Sequence, residues 1–279
     1  MTLVSVIIPT FNKAPLVCDV VKHLAQQTFK DFEVIVVDDG STDNTIRRLK
    51  SLRRDDRHLK VKVYNTYLTD QFGMCKAINL GLQKSRGSIA FLVNDDIYLH
   101  PQCIERHVLA HESLGNRRCA FLGPRFKCPP FKVGIRYSGA ETARHLYEKY
   151  TERKEDLGYP VYRKRKMVSS NFSVTMDALC EFGGYNEFFT RFTGAIDRDV
   201  HYRLTLRGVP ILFLAQAQAY SITYDHPLYQ ETKWVQDSSG LREGQGISTW
   251  KKQQLRYSDR MEMMARKHVP SPIIRRVEK

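Results

Sequence analysis

The chain has 279 residues, 42% hydrophobic and 27% charged, with a formal net charge of +14. Those proportions exclude a disordered, collagen-like or membrane-embedded chain and leave one large α/β domain or two small ones. No window holds the roughly eighteen consecutive apolar residues a spanning helix needs, and strand-like sequence follows Met1 directly, so an intracellular, cytoplasmic protein is expected. The basic excess favours polyanions of any kind: nucleic acid, an anionic membrane surface or phosphorylated small molecules. Cys18, Cys75, Cys103, Cys119, Cys128 and Cys180 lack CxxC spacing and read as buried free thiols rather than a zinc or disulfide framework.

From the N-terminus, VSVIIP (Val4–Pro9) is a short apolar, β-branched run that predicts a strand. The residues after it carry Leu16, Val17, Val20, Val21 and Leu24 at the spacing of one helical face. FEVIVV (Phe32–Val37) predicts a second strand; Gly40 breaks it, and Ser41, Thr42 or Asp43 caps a helix running through Leu52. Further strands are expected over Val61–Tyr64 and Ile89–Val93, with a helix over Met74–Lys84 between them. Strands apolar on both faces, alternating with amphipathic helices, build a doubly wound, mostly parallel, Rossmann-like α/β sheet with helices on both faces. Residues 125–166, rich in Pro, Lys, Arg and Tyr, predict hairpins and loops. Beyond them come a strand or loop in VSSNFSV, a short helix over Met176–Phe182, the turn GGYNEFF, a helix in DRDVHYRLTLRG ended by Gly208, and a last strand over Ile211–Leu214. From Thr249 the tail predicts a basic helix, which either rests on an anionic membrane or packs, solvated, on the domain.

Polar residues collect where three strands end: Pro9-Thr10-Phe11-Asn12, Asp38-Asp39-Gly40-Ser41 and Asn94-Asp95-Asp96. Ligands of open α/β sheets bind outside the carboxyl ends of the strands, where strand order reverses. Adjacent carboxylates repel, so Asp95 and Asp96 need a cation or a raised pKa. An isolated Asp-Asp pair is equally a solvated turn; beside the other two clusters it forms one acidic rim.

The order of these clusters resembles that of a family-2 glycosyltransferase of GT-A fold. The stretches that carry the resemblance are VSVIIPTFN (Val4–Asn12), VIVVDDGSTDNT (Val34–Thr45), NDDIYLHP (Asn94–Pro101), GGYNEFF (Gly183–Phe189) and AIDRDVHYRLTLRG (Ala195–Gly208). It implies a transferase domain over residues 1–230, with a nucleotide-sugar half over 1–124, an acceptor half over 125–230, and a basic C-terminal extension over 231–279. The activity implied is hexosyltransferase-like: metal-dependent, inverting transfer from a nucleoside-diphosphate sugar, UDP-sugar favoured, to a hydroxyl of a glycan, lipid-linked or protein acceptor. Two departures stand out. Asn94 takes the first place of the family's aspartate motif, so Asp95 and Asp96 share its work, and Ile196 replaces the Glu of the later Glu-Asp motif while Asp197 is retained.

Residue by residue, the resemblance makes Asp96 the principal ligand of Mn²⁺ or Mg²⁺, with Asp95 facing the ribose or the outer shell of the ion, and His226 a further ligand or a surface turn histidine. Hard divalent ions take one or two protein carboxylates plus substrate phosphates, which suits the pair. Asp39 accepts the imide N–H of the base, Pro9, Thr10, Phe11 and Asn12 line its pocket, and Lys76 and Asn79 approach ribose or phosphate. Asp38 reads better as a helix cap. Asp197 is the general base, or equally a helix N-cap. Asp199 and Arg203 pair at i,i+4 spacing. Asn171, Gly184, Tyr185 and Glu187 face the acceptor. Three other readings compete: a Rossmann dehydrogenase, disfavoured because no GxGxxG follows the first strand; a sugar-nucleotide nucleotidyltransferase, which releases pyrophosphate; and a basic nucleic-acid-binding module, for which YPVYRKRK alone has the basic and aromatic interleaving, so no nucleic-acid partner is expected.

Overall fold

In the computed structural model residues 3–55, 60–66, 73–127, 170–181, 183–187 and 196–221 are described. They form β1 (Val4–Thr10), α1 (Ala14–Leu24), β2 (Phe32–Asp38), α2 (Thr45–Asp55), β3 (Val61–Asn65), α3 (Met74–Lys84), β4 (Ile89–Val93), β5 (Ile97–Leu99), α4 (Cys103–Ser113), β6 (Ala120–Leu122), β7 (Arg125–Lys127), β8 (Asn171–Thr175), α5 (Met176–Cys180), α6 (Ile196–Leu206), β9 (Ile211–Phe213) and β10 (Ala219–Ser221). His226, the YPVYRKRK segment, Cys128 and the basic tail lie outside the described residues.

A seven-stranded sheet runs β3-β2-β1-β4-β8-β6-β9. β1 to β4 are parallel; β8 alone runs against its neighbours, β4 and β6, while β9 is parallel to β6. The strand order reverses between β1 and β4, because β2 and β3 grow to one side of β1 and β4 lies on the other. A second sheet, β5-β10-β7, has β10 antiparallel to β5 and parallel to β7.

The period of two in each strand sorts side chains between two cores. Val4, Val6 and Ile8 of β1, Val34 and Val36 of β2, and Ile89, Phe91 and Val93 of β4 pack with Leu16, Val17, Val20, Val21 and Leu24 of α1, with Leu49 and Leu52 of α2 and with Ile104 and Val108 of α4. On the other face Ile7, Ala90, Leu92, Phe172 and Val174 meet Ile78 and Leu82 of α3, Leu179 of α5 and Val200 and Leu204 of α6. A fully buried Val, Leu, Ile or Phe in either layer contributes about 1.5–3 kcal/mol. α3 lies so close to β1 that a Cβ on Gly81 would stand 2.5 Å from Ile7 Cγ2. At the amino ends of the strands Glu33, fully buried, joins β1 to β3: it accepts from Ser5 Oγ at 2.9 Å, Lys62 Nζ at 2.8 Å and the Arg86 N–H at 2.7 Å.

The predicted strands and helices of the first half recur within one to three residues of their expected ends. The expected strand or loop at VSSNFSV is β8, an inner strand. Not anticipated were α4, β5, β6 and the small sheet; their strands are three residues long, too short for a period to show.

Candidate active site

β1 ends at the reversal point, and Thr10 there ties its two neighbours together. Its carbonyl accepts the Asp39 N–H at 2.8 Å, from the end of β2, and its hydroxyl donates to Asp95 Oδ2 at 2.9 Å, beyond the end of β4. Asn12 follows in the left-handed region at φ 51°, which asparagine tolerates. Its Oδ1 accepts the Thr42 N–H at 2.8 Å and the Asp43 N–H at 3.3 Å, so the buried Asn12 amide organises the loop after β2 rather than presenting a free carbonyl. Pro9 is buried within β1 and Phe11 is half-buried beside it.

The expectation for Asp38 needs correcting. Its carboxylate accepts from the Ser41 N–H at 3.0 Å, the Ser41 hydroxyl and Asn65 Nδ2 at 2.8 Å, so it holds a turn and β3 instead of a helix. Asp43 is the cap: Oδ1 accepts the Thr45 N–H at 2.9 Å at the start of α2, and Oδ2 the Ala14 N–H at 3.3 Å at the start of α1.

Asp39 is buried, with Oδ2 accepting the Gly73 N–H at 2.5 Å and Oδ1 the Thr66 hydroxyl at 3.2 Å. Burial pushes its carboxyl up to about 6; the Gly73 and Thr66 hydrogen bonds and the Lys76 charge oppose that rise, and Asp38 adds to it. Lys76, half-buried in the first turn of α3, is thus electrostatically within reach of Asp39.

Asp95 and Asp96 occupy the turn by which the chain leaves β4 for β5 and so passes from the large sheet to the small one, closed by Ile97 N–H to Asn94 O at 3.3 Å. The two carboxylates are not equivalent. Asp95 Oδ2 accepts from Thr10 and Oδ1 from Lys13 Nζ at 2.9 Å. Asp96 Oδ1 is buried without a hydrogen-bond partner, and burial raises its carboxyl, opposed by the charges of Lys13 and Arg125 and reinforced by Asp95. A buried carboxylate oxygen lacking a donor fits a hard divalent cation that keeps most of its shell for water and phosphate. Among the described residues no three His, Cys, Asp or Glu side chains cluster as a protein-only metal cage.

Asp197 and Asp199 stand in the first turn of α6. Asp199 is pinned by Arg203, whose Nε donates to Oδ2 at 2.8 Å and whose Nη2 reaches the same oxygen, so the expected i,i+4 pair is present. Arg203 Nη1 also donates to Gly184 O at 2.8 Å, bracing a turn in which Gly183 and Gly184 have φ of 75° and 77°. The Cys75 thiol is pushed up to about 12 by burial, with Asp199, Glu187 and Asp197 adding and Arg203 opposing. The charges of Asp199, Glu187 and Asp197 thus act on the first turn of α3, the helix whose preceding residue, Gly73, donates its N–H to Asp39.

Two residues assigned to ligands have internal work instead. Asn79 is buried and pairs like a strand with Tyr185, accepting its N–H at 2.7 Å and donating to its carbonyl at 2.8 Å, and it also donates to Glu187 Oε1 at 2.9 Å. Its amide is spent positioning the Gly184–Glu187 turn, not ribose or phosphate. In that turn Gly184 and Tyr185 are buried, and Glu187 is half-buried.

Asn171 is likewise buried rather than turned to an acceptor. Its Nδ2 donates to Ala217 O at 2.7 Å, and its Oδ1 lies 3.2 Å from His107 Nε2. One proton order satisfies the network. His107 Nε2–H donates to Asn171, so Nδ1 accepts the Ser173 hydroxyl at 2.7 Å. Ser173 Oγ then accepts from His111 Nε2–H at 2.9 Å, and His111 Nδ1 accepts the Cys119 thiol at 3.3 Å. Both imidazoles are neutral, as burial pulls His107 down to about 3 and His111 to about 4. Among the described residues the cysteines are free, with Cys75, Cys103 and Cys119 buried.

Sequence reasoning passed over Lys13. The signal was present: a lysine one residue beyond the first polar cluster, at the entrance to a helix.

A mostly parallel sheet that reverses beside a paired aspartate turn, with a smaller sheet starting from that turn, is a GT-A fold. The chain belongs to glycosyl transferase family 2, whose family model matches residues 5–175. It is 35% identical over 96 residues to the GalNAc(5)-diNAcBac-PP-undecaprenol beta-1,3-glucosyltransferase of Campylobacter jejuni, a match covering 34% of this chain and 30% of that protein. The fold is similar to that of S. aureus TarS in complex with UDP-GlcNAc, with a TM-score of 0.61 at 20% identity over 89% of this chain and 61% of that one. It is also similar to the mannosyltransferase PcManGT from Pyrobaculum calidifontis in complex with GDP-Man and Mn²⁺, with a TM-score of 0.57 at 19% identity over 78% of this chain and 56% of that one. The chain thus spans less than two thirds of each of these relatives. No described helix is long and apolar enough to cross a membrane.

Proposed function

We propose that the chain transfers a sugar, with inversion, from a UDP-sugar to an acceptor hydroxyl in glycan or polysaccharide synthesis. The observation that carries this is Thr10, whose carbonyl and hydroxyl bind Asp39 and Asp95 at once and so join a base-reading carboxylate to the aspartate pair across the reversal point. UDP is favoured over other nucleotides because a carboxylate at Asp39 accepts the imide N–H of uracil, and because TarS, similar in fold, was crystallised with UDP-GlcNAc.

In this reading the base lies against Pro9–Asn12, Asp95 faces the ribose, and Asp96 holds Mn²⁺ or Mg²⁺. The chemistry supplied by such a cation is neutralisation of charge on the departing diphosphate. Asp197 takes the proton of the acceptor hydroxyl as its oxygen bonds to the anomeric carbon and the bond from that carbon to the diphosphate oxygen breaks. Glu187, held by Asn79, is the remaining polar candidate on the acceptor side. A lipid-linked acceptor is supported by the name of the Campylobacter relative.

The test pairs Asp197→Asn with Asp96→Ala. Asp197→Asn is expected to bind UDP as the parent does and to lose transfer by about 10²–10⁴-fold, the usual worth of a general base. Asp96→Ala is expected to weaken UDP binding only when Mn²⁺ is present. Transfer by Asp197→Asn at the parent rate defeats the base assignment, and release of pyrophosphate rather than nucleoside diphosphate defeats the reaction class.

A further inference from the structure

The aspartate pair carries its own cation. Lys13 is the last residue before α1, and its Nζ stands 2.9 Å from Asp95 Oδ1, bridging 82 positions of sequence. Only 18% of the Lys13 side chain and 7% of the Asp95 side chain are exposed, so the ion pair is little screened. With Thr10 on Oδ2, both Asp95 oxygens have protein donors, while the neighbouring Asp96 Oδ1 has none. The turn therefore presents two carboxylates, one of them already neutralised and occupied.

We infer that Lys13 is a positioning residue that sets the order of binding: it keeps Asp95 away from a divalent cation and holds the affinity for free cation low, so that cation and nucleoside diphosphate are captured together. The inference rests on the reading of the site as one for a nucleoside diphosphate and a divalent cation. Its logic is charge counting. Counted over these three groups, Asp95, Asp96 and Lys13 sum to −1, and Arg125, whose charge also acts on Asp96 and is the same in every variant below, weakens the pull on a free divalent ion further. A bound diphosphate adds the missing negative charge. Removing the Lys13 charge leaves −2 without any diphosphate, and because a unit charge a few ångströms from a divalent ion is felt even through water, the gain in cation affinity is about tenfold or more. Lysine suits this role because its charge is compact and its stem flexible, whereas a forked guanidinium binds a carboxylate more rigidly.

The experiment measures Mn²⁺ binding to the full chain by the electron paramagnetic resonance signal of free Mn²⁺, with and without saturating UDP. Four proteins close a charge cycle: the parent, Lys13→Gln, Asp95→Asn and the double variant. Without UDP, Lys13→Gln (net −2) is expected to bind Mn²⁺ about tenfold more tightly than the parent. Asp95→Asn (net 0) is expected to bind it more weakly, and the double variant (net −1) to return near the parent. Lys13→Arg, which keeps the charge, is expected to stay near the parent. A purely structural role for Lys13 predicts no such restoration. If the parent retains Mn²⁺ with UDP but Lys13→Gln binds free Mn²⁺ no more tightly than the parent, or the double variant does not return, the role of Lys13 is overturned alone. If the parent binds no Mn²⁺ even with UDP, the reading of the site as one for a nucleoside diphosphate and a divalent cation falls and takes this inference with it.

Discussion

With Asp39 reading the base as proposed, nucleotide binding is expected to depend on pH in a way that separates the ligand from the fold. Its carboxyl titrates at about 6 because burial penalises the charge more than Gly73, Thr66 and Lys76 favour it, with Asp38 adding repulsion. A carboxylate that accepts the imide N–H must be ionised. The ionised fraction falls from about nine tenths at pH 7 to about one tenth at pH 5, so affinity for a UDP-sugar drops about tenfold over that interval. The free protein moves the other way. A carboxyl whose folded pKa is raised contributes stability that is fully present below its unfolded value of 3.8 and is lost as pH rises through about 6, in total about 3 kcal/mol. Asp39→Asn removes both dependences: it flattens and weakens binding, and at pH 7 it makes the free protein more stable than the parent by up to about 3 kcal/mol. The assays are calorimetric titration of a UDP-sugar, whose diphosphate has no proton to exchange in this window, and urea unfolding of parent and variant from pH 4 to 7.5. Parent affinity that is flat from pH 5 to 7, or a stability gap that does not widen with pH, refutes the argument.

Other expectations concern the frame. Burial would raise Glu33, but Lys62, the Arg86 N–H and Ser5 together hold it below the ordinary glutamate value of 4.5. A lowered folded pKa stabilises above the unfolded value and the benefit is lost as pH falls through the folded one, so acid unfolding below about pH 4.5 is expected to steepen because of Glu33. Glu33→Gln should cost about 1.5–3 kcal/mol at pH 7 and remove that part of the acid sensitivity, read from urea midpoints at both pH values. Ser173→Ala leaves His107 Nδ1 and His111 Nε2 buried without partners, at a cost of about 2–5 kcal/mol. An unchanged urea midpoint at pH 7 would show that the network contributes nothing.

Much of the molecule was legible from residue order alone. The continuous apolar runs of β1, β2 and β4 and the amphipathic patterns of α1 and α3 are local properties, since each run buries one or both faces wherever it ends up. The polar clusters that close β1, β2 and β4 were visible for the same reason: each apolar run changes abruptly to polar residues, and that change is read locally even though Thr10, Asn12, Asp38, Asp39 and Asp95 stay buried. Contacts between distant segments were not visible. Asn79 and Asn171 look like ligand residues in one dimension, and only the approach of Tyr185 to one and of His107 and Ala217 to the other shows that their amides are spent internally. Lys13 looks like a surface lysine until β4 delivers Asp95 to it. A residue's type and neighbours in the chain determine which element it joins; what its polar atoms face depends on segments brought together by folding, and at this site those segments lie tens of residues apart.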